Sequence, residues 1–152
     1  LTPGGMVRLK SAYIIRCDEV VKDDEGKVTG LLCSYIENSK SGNDTSGINV
    51  KGTLHWVSAA QALPVEIRQY DRLFKVEDVA SAEGDFKDHI NPDSLQVITG
   101  YAEPALKEAE VGAKFQFMRK GYFCLDPDST SDKLVFNRTV GLKDTWGKVA
   151  VK

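Results

Sequence analysis

Along most of this chain, apolar and polar residues alternate in short runs rich in valine, isoleucine, threonine and aromatics, the period-two pattern of strands with one face in a core. The first run, residues 7–17, predicts a strand. Residues 20–22 and 27–35 predict the two arms of a hairpin, because Asp23-Asp24-Glu25-Gly26 offers a polar turn whose glycine tolerates positive φ. A polar loop over 38–47 follows, then a strand over 50–58. Pro64 has no N–H to give a central ladder and so marks the start of another strand, 65–74.

Residues 80–88 read as a linker, after which a strand over 94–101 restarts the pattern. Residues 104–110 predict one or two helical turns, ended by Gly112. Segments 114–118 and 122–126 predict a second hairpin around Arg119-Lys120-Gly121, with Phe115 and Phe117 on the core side and Lys114 and Gln116 displayed. A last strand, 133–142, ends near Trp146, and no fixed repeat is visible. Many short strands with little helix predict an all-β fold. Closed barrels are preferred to open sheets because they leave no strand edge exposed.

Composition narrows the class. A chain of 152 residues makes one ordinary domain or two small ones, and buries about 68–70% of its unfolded surface. With 41% hydrophobic and 28% charged residues, it has the makeup of a folded globular protein rather than a disordered one. No apolar run approaches the length of a membrane-spanning helix. Residues 1–6 lack the basic and apolar regions of a secretory leader, and the chain reads as a piece of a longer protein. Cys17, Cys33 and Cys124 are odd in number and form no CxxC pair, which argues against a zinc site and a disulfide framework, so reduced thiols in the cytoplasm are expected. The sequons at Asn43 and Asn137 matter only in secreted proteins.

The net charge of −2 is unevenly spread. Residues 1–16 carry +3 from Arg8, Lys10 and Arg16; residues 17–110 carry −9, nine cations against eighteen acids; residues 111–152 carry +4, eight against four. Two basic ends around an acidic middle fit one positive surface if the ends meet, and equally fit ordinary solvated faces.

Chemistry-bearing motifs are few. Neither GxxxxGK[ST] nor GxGxxG occurs, so no phosphate cradle is expected. His55 and His89 lie far apart without ligand spacing, which gives no metal site, and His55 beside Trp56 reads as a packed or hydrogen-bonded histidine. Asp23-Asp24 and Asp126 with Asp128 read as solvated or turn-forming, and Ser129-Thr130-Ser131 lacks a nucleophile elbow. The segment 114–122 is different. Gln116 both donates and accepts, and Arg119 presents a planar charged fork, a pair suited to a pyrimidine edge and a phosphate in unpaired RNA. Ordinary exposed hairpins carry the same residue types, so spacing alone leaves both readings open.

Longer blocks decide between them. Residues 51–58 (KGTLHWVS), 63–68 (LPVEIR) and 70–74 (YDRLF), followed in order by Ile90-Asn91-Pro92, Glu103-Pro104, Phe115-Gln116-Phe117, Gly121-Tyr122-Phe123 and residues 136–140 (FNRTV), resemble the anticodon-binding region of the glutaminyl-tRNA synthetase family. The resemblance covers essentially the whole chain. It implies two six-stranded closed barrels of the ribosomal-protein L25-like type with exchanged strands, divided approximately as residues 1–82 and 83–152. It also implies a monomer in the cytoplasm whose partner is glutamine tRNA, bound at its anticodon loop, with neither DNA nor membrane involved. The family's catalytic domain, with its HIGH-like and KMSKS-like motifs, ATP and Mg, has no counterpart here, so no catalytic residue or cofactor is expected within these residues.

Carried over residue by residue, the resemblance implies that Gln116 and Arg119 read the middle anticodon base, a uridine. Arg8 then serves the first anticodon nucleotide, and Thr145 lies near it. Lys10 stands where the family has an arginine, exchanging a planar fork for a point charge. Met118 and Lys120 replace acidic residues, making the hairpin more basic. Two other readings stay open on resemblance alone: the corresponding region of a eukaryotic-type glutamyl-tRNA synthetase, which shares the barrels, and a stand-alone L25-like ribosomal RNA-binding barrel. The block His55-Trp56-Val57-Ser58 favours glutamine. An independent hydrolase finds no catalytic constellation in the sequence.

Overall fold

The structure, a computed structural model, describes residues 1–142, and strands make up most of its regular structure. The chain divides between Trp56 and Val57 into two compact units. The expected strand end near Trp146 lies outside the described residues.

In the first unit, β1 (Met6–Leu9), β2 (Ile14–Lys22), β3 (Val28–Tyr35) and β4 (Thr53–Leu54) form one sheet in the order β3-β2-β1-β4. Neighbours are antiparallel except β1 and β4, which run parallel. The single strand expected over 7–17 is in fact two. The chain reverses between them, with the Leu9 N–H donating to Tyr13 O at 2.9 Å, and Ser11 adopts a φ of 58°. Lys10-Ser11-Ala12 lacks the glycine, proline or asparagine that most strongly announces a turn and offers only the weaker signal of Ser11. The next turn lies where expected: Asp23 Oδ1 accepts the N–H groups of Glu25 and Lys27 at 3.1 and 2.8 Å, and Gly26 takes a φ of 79°. The strand expected over 50–58 contracts to β4. Ile14 and Cys17 are fully buried, as is Ser39, whose hydroxyl donates to Ile36 O at 2.6 Å and accepts from the Ile14 N–H at 2.8 Å. That pair of bonds leaves the buried hydroxyl satisfied.

In the second unit, β5 (Leu63–Tyr70), β6 (Leu95–Ala102), β7 (Lys114–Phe117), β8 (Gly121–Leu125) and β9 (Leu134–Val140) form a five-stranded sheet in the order β6-β5-β9-β8-β7. Here β5 and β9 are parallel, and the other pairs are antiparallel. Pro64 is inside β5 rather than before it, opposite Tyr101, but β9 joins only from Val65, so the missing N–H falls outside the doubly paired stretch. Residues 104–110 yield a 3₁₀ turn, Pro104–Glu108. The expected linker runs into another, Phe86–His89, held by a capping box in which Asp85 and Asp88 each accept the other end's N–H. The boundary expected near residue 82 falls within this unit, between β5 and β6, which pair over eight residues. Among the described residues the architecture is thus mostly β with little helix, in two sheets of four and five strands.

Asp126, expected to be solvated or turn-forming, is buried and forms the turn, its carbonyl accepting from the Ser129 N–H at 3.0 Å. It accepts from the Asp128 N–H at 2.8 Å and from the Asn137 amide, and sits 3.6 Å from Arg68 Nη1. Arg68 also binds Glu66 at 2.9 Å and Asp128 at 2.6 Å, and Lys133 binds Glu66 at 2.6 Å. The Asp128 N–H and the Asn137 amide, with Arg68 adding to them, hold the Asp126 carboxyl below the usual range; Lys133 first and Arg68 second do the same for Glu66. Both groups are depressed in the folded state. Their contribution is therefore fully present above the unfolded carboxylate values and is lost as pH falls through the folded ones. Urea midpoints are expected to stay level near neutrality and to drop below about pH 4. Arg68→Met should flatten that acid drop, and an unchanged acid slope in this variant would show that the cluster does not contribute to it.

Candidate nucleic-acid interface

The β7–β8 hairpin presents the clearest polar display. Its register sets Lys114 opposite Cys124, Phe115 opposite Phe123, Gln116 opposite Tyr122 and Phe117 opposite Gly121. The inner face is aromatic. Phe117 stacks on Phe123 with ring centroids 4.4 Å apart and meets the fully buried Phe136 edge-on at 5.1 Å, and Phe115 meets Phe136 at 6.0 Å. Because successive strand residues point to opposite faces, anchoring these rings turns Gln116 outward. Gln116 and Arg119 are both exposed, as the sequence reading required.

Beside Gln116, on the facing strand, Tyr122 is 46% exposed. The sequence reading passed over this tyrosine. Its signal was the alternation itself: with Phe123 committed to the core, Tyr122 had to face out, as a flat ring on which a base can stack.

The tip is a three-residue turn closed by Lys120 N–H donating to Phe117 O at 2.8 Å. Arg119 occupies the left-handed region at a φ of 64°. That conformation costs a side-chain-bearing residue on the order of 1–2 kcal/mol relative to glycine. Gly121, at a φ of 139°, lies so close to β9 that a Cβ there would be 2.5 Å from Val140 O. Glycine is thus required where the hairpin leans on β9, whereas the turn itself carries an arginine at a position glycine would fill more easily.

Arg8 and Lys10 belong to the first unit. Arg8, in β1, is half-buried, and Nη1 donates to Ser39 O at 2.5 Å, with longer contacts to Ala12 O and Ser41 Oγ at 3.4 Å each. Its Nη2 pairs with Asp44. The Ser46 hydroxyl and N–H, with Arg8 after them, hold the Asp44 carboxyl below its usual range and keep it charged toward the guanidinium. Arg8 therefore braces the loop around residues 39–44 against β1. Lys10 is exposed just after β1; its backbone carbonyl accepts from the Trp56 indole N–H at 3.0 Å. His55, expected to be packed or hydrogen-bonded, is exposed. Thr145 lies outside the described residues.

A second concavity, absent from the sequence reading, opens in the second unit with a volume of about 560 Å³, lined by Tyr70, Arg72, Lys75, Gln96 and Arg138 among others. Arg138 is oriented there by donating to Gln69 Oε1 at 2.8 Å. Among the described residues, no three His, Cys, Asp or Glu side chains converge to hold a metal ion, and no helix is long and apolar enough to cross a membrane.

Comparison with known proteins identifies a family for the chain as a whole. Two family models, both described as the anti-codon binding domain of class I tRNA synthetases (E and Q), match residues 1–36 and 53–126. The chain is 56% identical over 154 residues to a glutamine–tRNA ligase of Rhodopirellula baltica, covering 100% of this chain and 26% of that protein. It is 56% identical over 149 residues to the glutamine–tRNA ligase of Enterobacter sp. (strain 638), and 55% identical over 150 residues to that of Cronobacter sakazakii, covering 97% and 98% of this chain. The chain spans about a quarter of the length of the curated relatives it matches.

The hairpin geometry separates two glycine effects. Gly121→Ala is expected to destabilise the protein by about 1–3 kcal/mol in urea melts. Arg119→Gly should cost less than Gly121→Ala, because glycine relieves the left-handed backbone at this position. If Arg119→Gly instead proves as damaging as Gly121→Ala, the arginine is a structural part of the turn rather than a displayed group.

Proposed function

Because this chain belongs to the anticodon-binding domain family of the class I glutamate and glutamine tRNA synthetases, we propose that it is the part of a glutamine–tRNA ligase that reads the anticodon of glutamine tRNA. The observation that carries this reading is the β7–β8 hairpin. Its aromatic inner face is locked into the core, which leaves Gln116, Tyr122 and Arg119 exposed on a stiff support. An unstacked middle uridine offers one edge for the Gln116 amide to pair with and a face for Tyr122, while Arg119 supplies charge for the edge or the neighbouring phosphate.

Arg8 and Lys10 attend the first anticodon nucleotide in this reading, and Thr145 is placed near it by resemblance alone. Lys10 contributes an exposed ammonium. Arg8 meets the nucleotide with a guanidinium already anchored on Ser39 and Asp44, so its part is to shape the loop as well as to attract phosphate. The parent enzyme joins glutamine to its tRNA with ATP and Mg in a catalytic domain outside this chain, and acts as a cytoplasmic monomer.

The two barrels with exchanged strands belong to the same proposal. The parallel β5–β9 pair, which brings together residues about seventy positions apart, supports such an exchange. So does the edge strand β6, whose Leu95, Val97, Ile98 and Tyr101 are exposed where further strands of a closed barrel would pair. Of the two amino acids the family serves, glutamine is supported by relatives at 55–56% identity that are all glutamine ligases.

The test uses the full-length ligase and glutamine tRNAs altered at the middle anticodon base. Gln116→Ala and Arg119→Ala are each expected to reduce discrimination in kcat/KM by about 1–3 kcal/mol, whereas Lys120→Ala weakens every tRNA alike. Equal losses on all tRNAs for the first two variants would leave general phosphate attraction as their only role.

A further inference from the structure

The three cysteines are free, and two of them meet across a strand pair. Cys17 on β2 lies directly opposite Cys33 on β3. The Cys17 N–H donates to Gly5 O at 3.0 Å, and its carbonyl accepts from the Gly4 N–H at 2.8 Å, so both of its main-chain groups point away from β3. Toward β3 the pair is therefore of the non-hydrogen-bonded antiparallel kind, in which facing Cα atoms approach to about 4.5 Å and both side chains leave the sheet on one side. A disulfide needs Cα atoms roughly 4.4–6.8 Å apart, and this register falls inside that window.

The two thiols differ in access. Cys17 is fully buried, with its Sγ 3.7 Å from Glu19 O and beside the Cys33 thiol, whereas Cys33 is exposed. Partial desolvation first, and the adjoining Cys17 thiol second, push the Cys33 thiol above its usual range, as the closeness of the two sulfurs requires. Cys124 provides a contrast within the same chain. Its strand partner is Lys114, and its Sγ is turned to Gly112 O at 3.5 Å.

We infer that Cys17 and Cys33 form a reversible dithiol site, which a low-molecular-weight disulfide such as oxidised glutathione converts into a cross-strand disulfide. The exposed Cys33, as thiolate, attacks one sulfur of the small disulfide; that S–S bond breaks, one half leaves and takes up a proton as a thiol, and the other half stays on Cys33. Cys17 then gives up its proton and attacks the Cys33 sulfur. The Cys17–Cys33 bond forms and the second half departs as a thiol. Two protein thiols are oxidised to one disulfide, and one small disulfide is reduced to two thiols. The product ties the middle of β2 to β3 in the sheet that also contains β1, the strand bearing Arg8. The site stands independently of what that sheet binds.

The purified protein, equilibrated in oxidised and reduced glutathione mixtures of increasing ratio and then alkylated under denaturing conditions, tests this by intact and peptide mass. The expected result is the concerted loss of two of the three alkylatable thiols, a protein lighter by two hydrogens, and one linked peptide pair containing Cys17 and Cys33, with Cys124 still alkylated. All of it should reverse with dithiothreitol. In Cys17→Ser the same mixtures should instead accumulate one glutathionyl group on Cys33. Where that variant folds poorly by circular dichroism, Cys17→Ala serves, and the wild-type masses decide the question without either. Stable glutathionylation of the wild-type Cys33 without closure would overturn the inference. So would a disulfide involving Cys124, or one joining two copies of the chain.

Discussion

The pleat of one short strand governs what this protein can display. Phe115 and Phe117 occupy alternate positions of β7, and both are held by rings from β8 and β9, with Phe136 at the centre of the cluster. Truncating a fully buried phenylalanine in such a cluster typically costs about 3–5 kcal/mol. A one-residue slip in register would exchange Gln116 for a phenylalanine on the outer face, so the same packing energy that stabilises the sheet also fixes which residues meet solvent. The hairpin reaches its orientation without depending on the flexible chemistry of a loop. Space requires glycine at Gly121, whereas Arg119 holds a left-handed conformation that glycine would adopt more easily.

The first unit uses a different device. No aromatic cluster supports Arg8; instead its guanidinium gathers backbone and side-chain oxygens from residues 39, 41 and 44. Its charge organises this loop. Lys10, by contrast, keeps its ammonium exposed, and a flexible point charge suits attraction better than precise edge recognition. The first unit therefore combines two distinct kinds of cation, one built into the scaffold and one left at its surface.

Much of the fold was legible because turn chemistry and alternation are local. Asp23 to Gly26 and the tip after Phe117 were found where polar, glycine-bearing segments interrupt apolar runs. The break at Ser11 was not, since one serine is a weak turn signal and no glycine, proline or asparagine accompanies it. Length also misled: the strand expected over 50–58 survives as two residues, because ladder pairing rather than composition decides where a strand ends. The burial of Asp126 depended on Arg68 and Asn137, which lie far from it in sequence on β5 and β9. The opposition of Cys17 and Cys33 was equally invisible, since sixteen residues of spacing say nothing until the hairpin between them sets the register. Gln116 and Arg119 emerged from local chemistry together with extended resemblance, whereas Tyr122 needed the facing strand.

Strand order in the larger sheet carries a consequence for how the chain acquires its structure. β9 lies between β5 and β8 and is parallel to β5, so the centre of the sheet is filled by the last of its strands to leave the ribosome. Until residue 134 and its successors emerge, the β5–β6 ribbon and the β7–β8 ribbon have nothing to join them. Assembly of this unit is thus a late, non-local event rather than a stepwise accretion, the regime in which folding is slow and half-made sheets are vulnerable to aggregation.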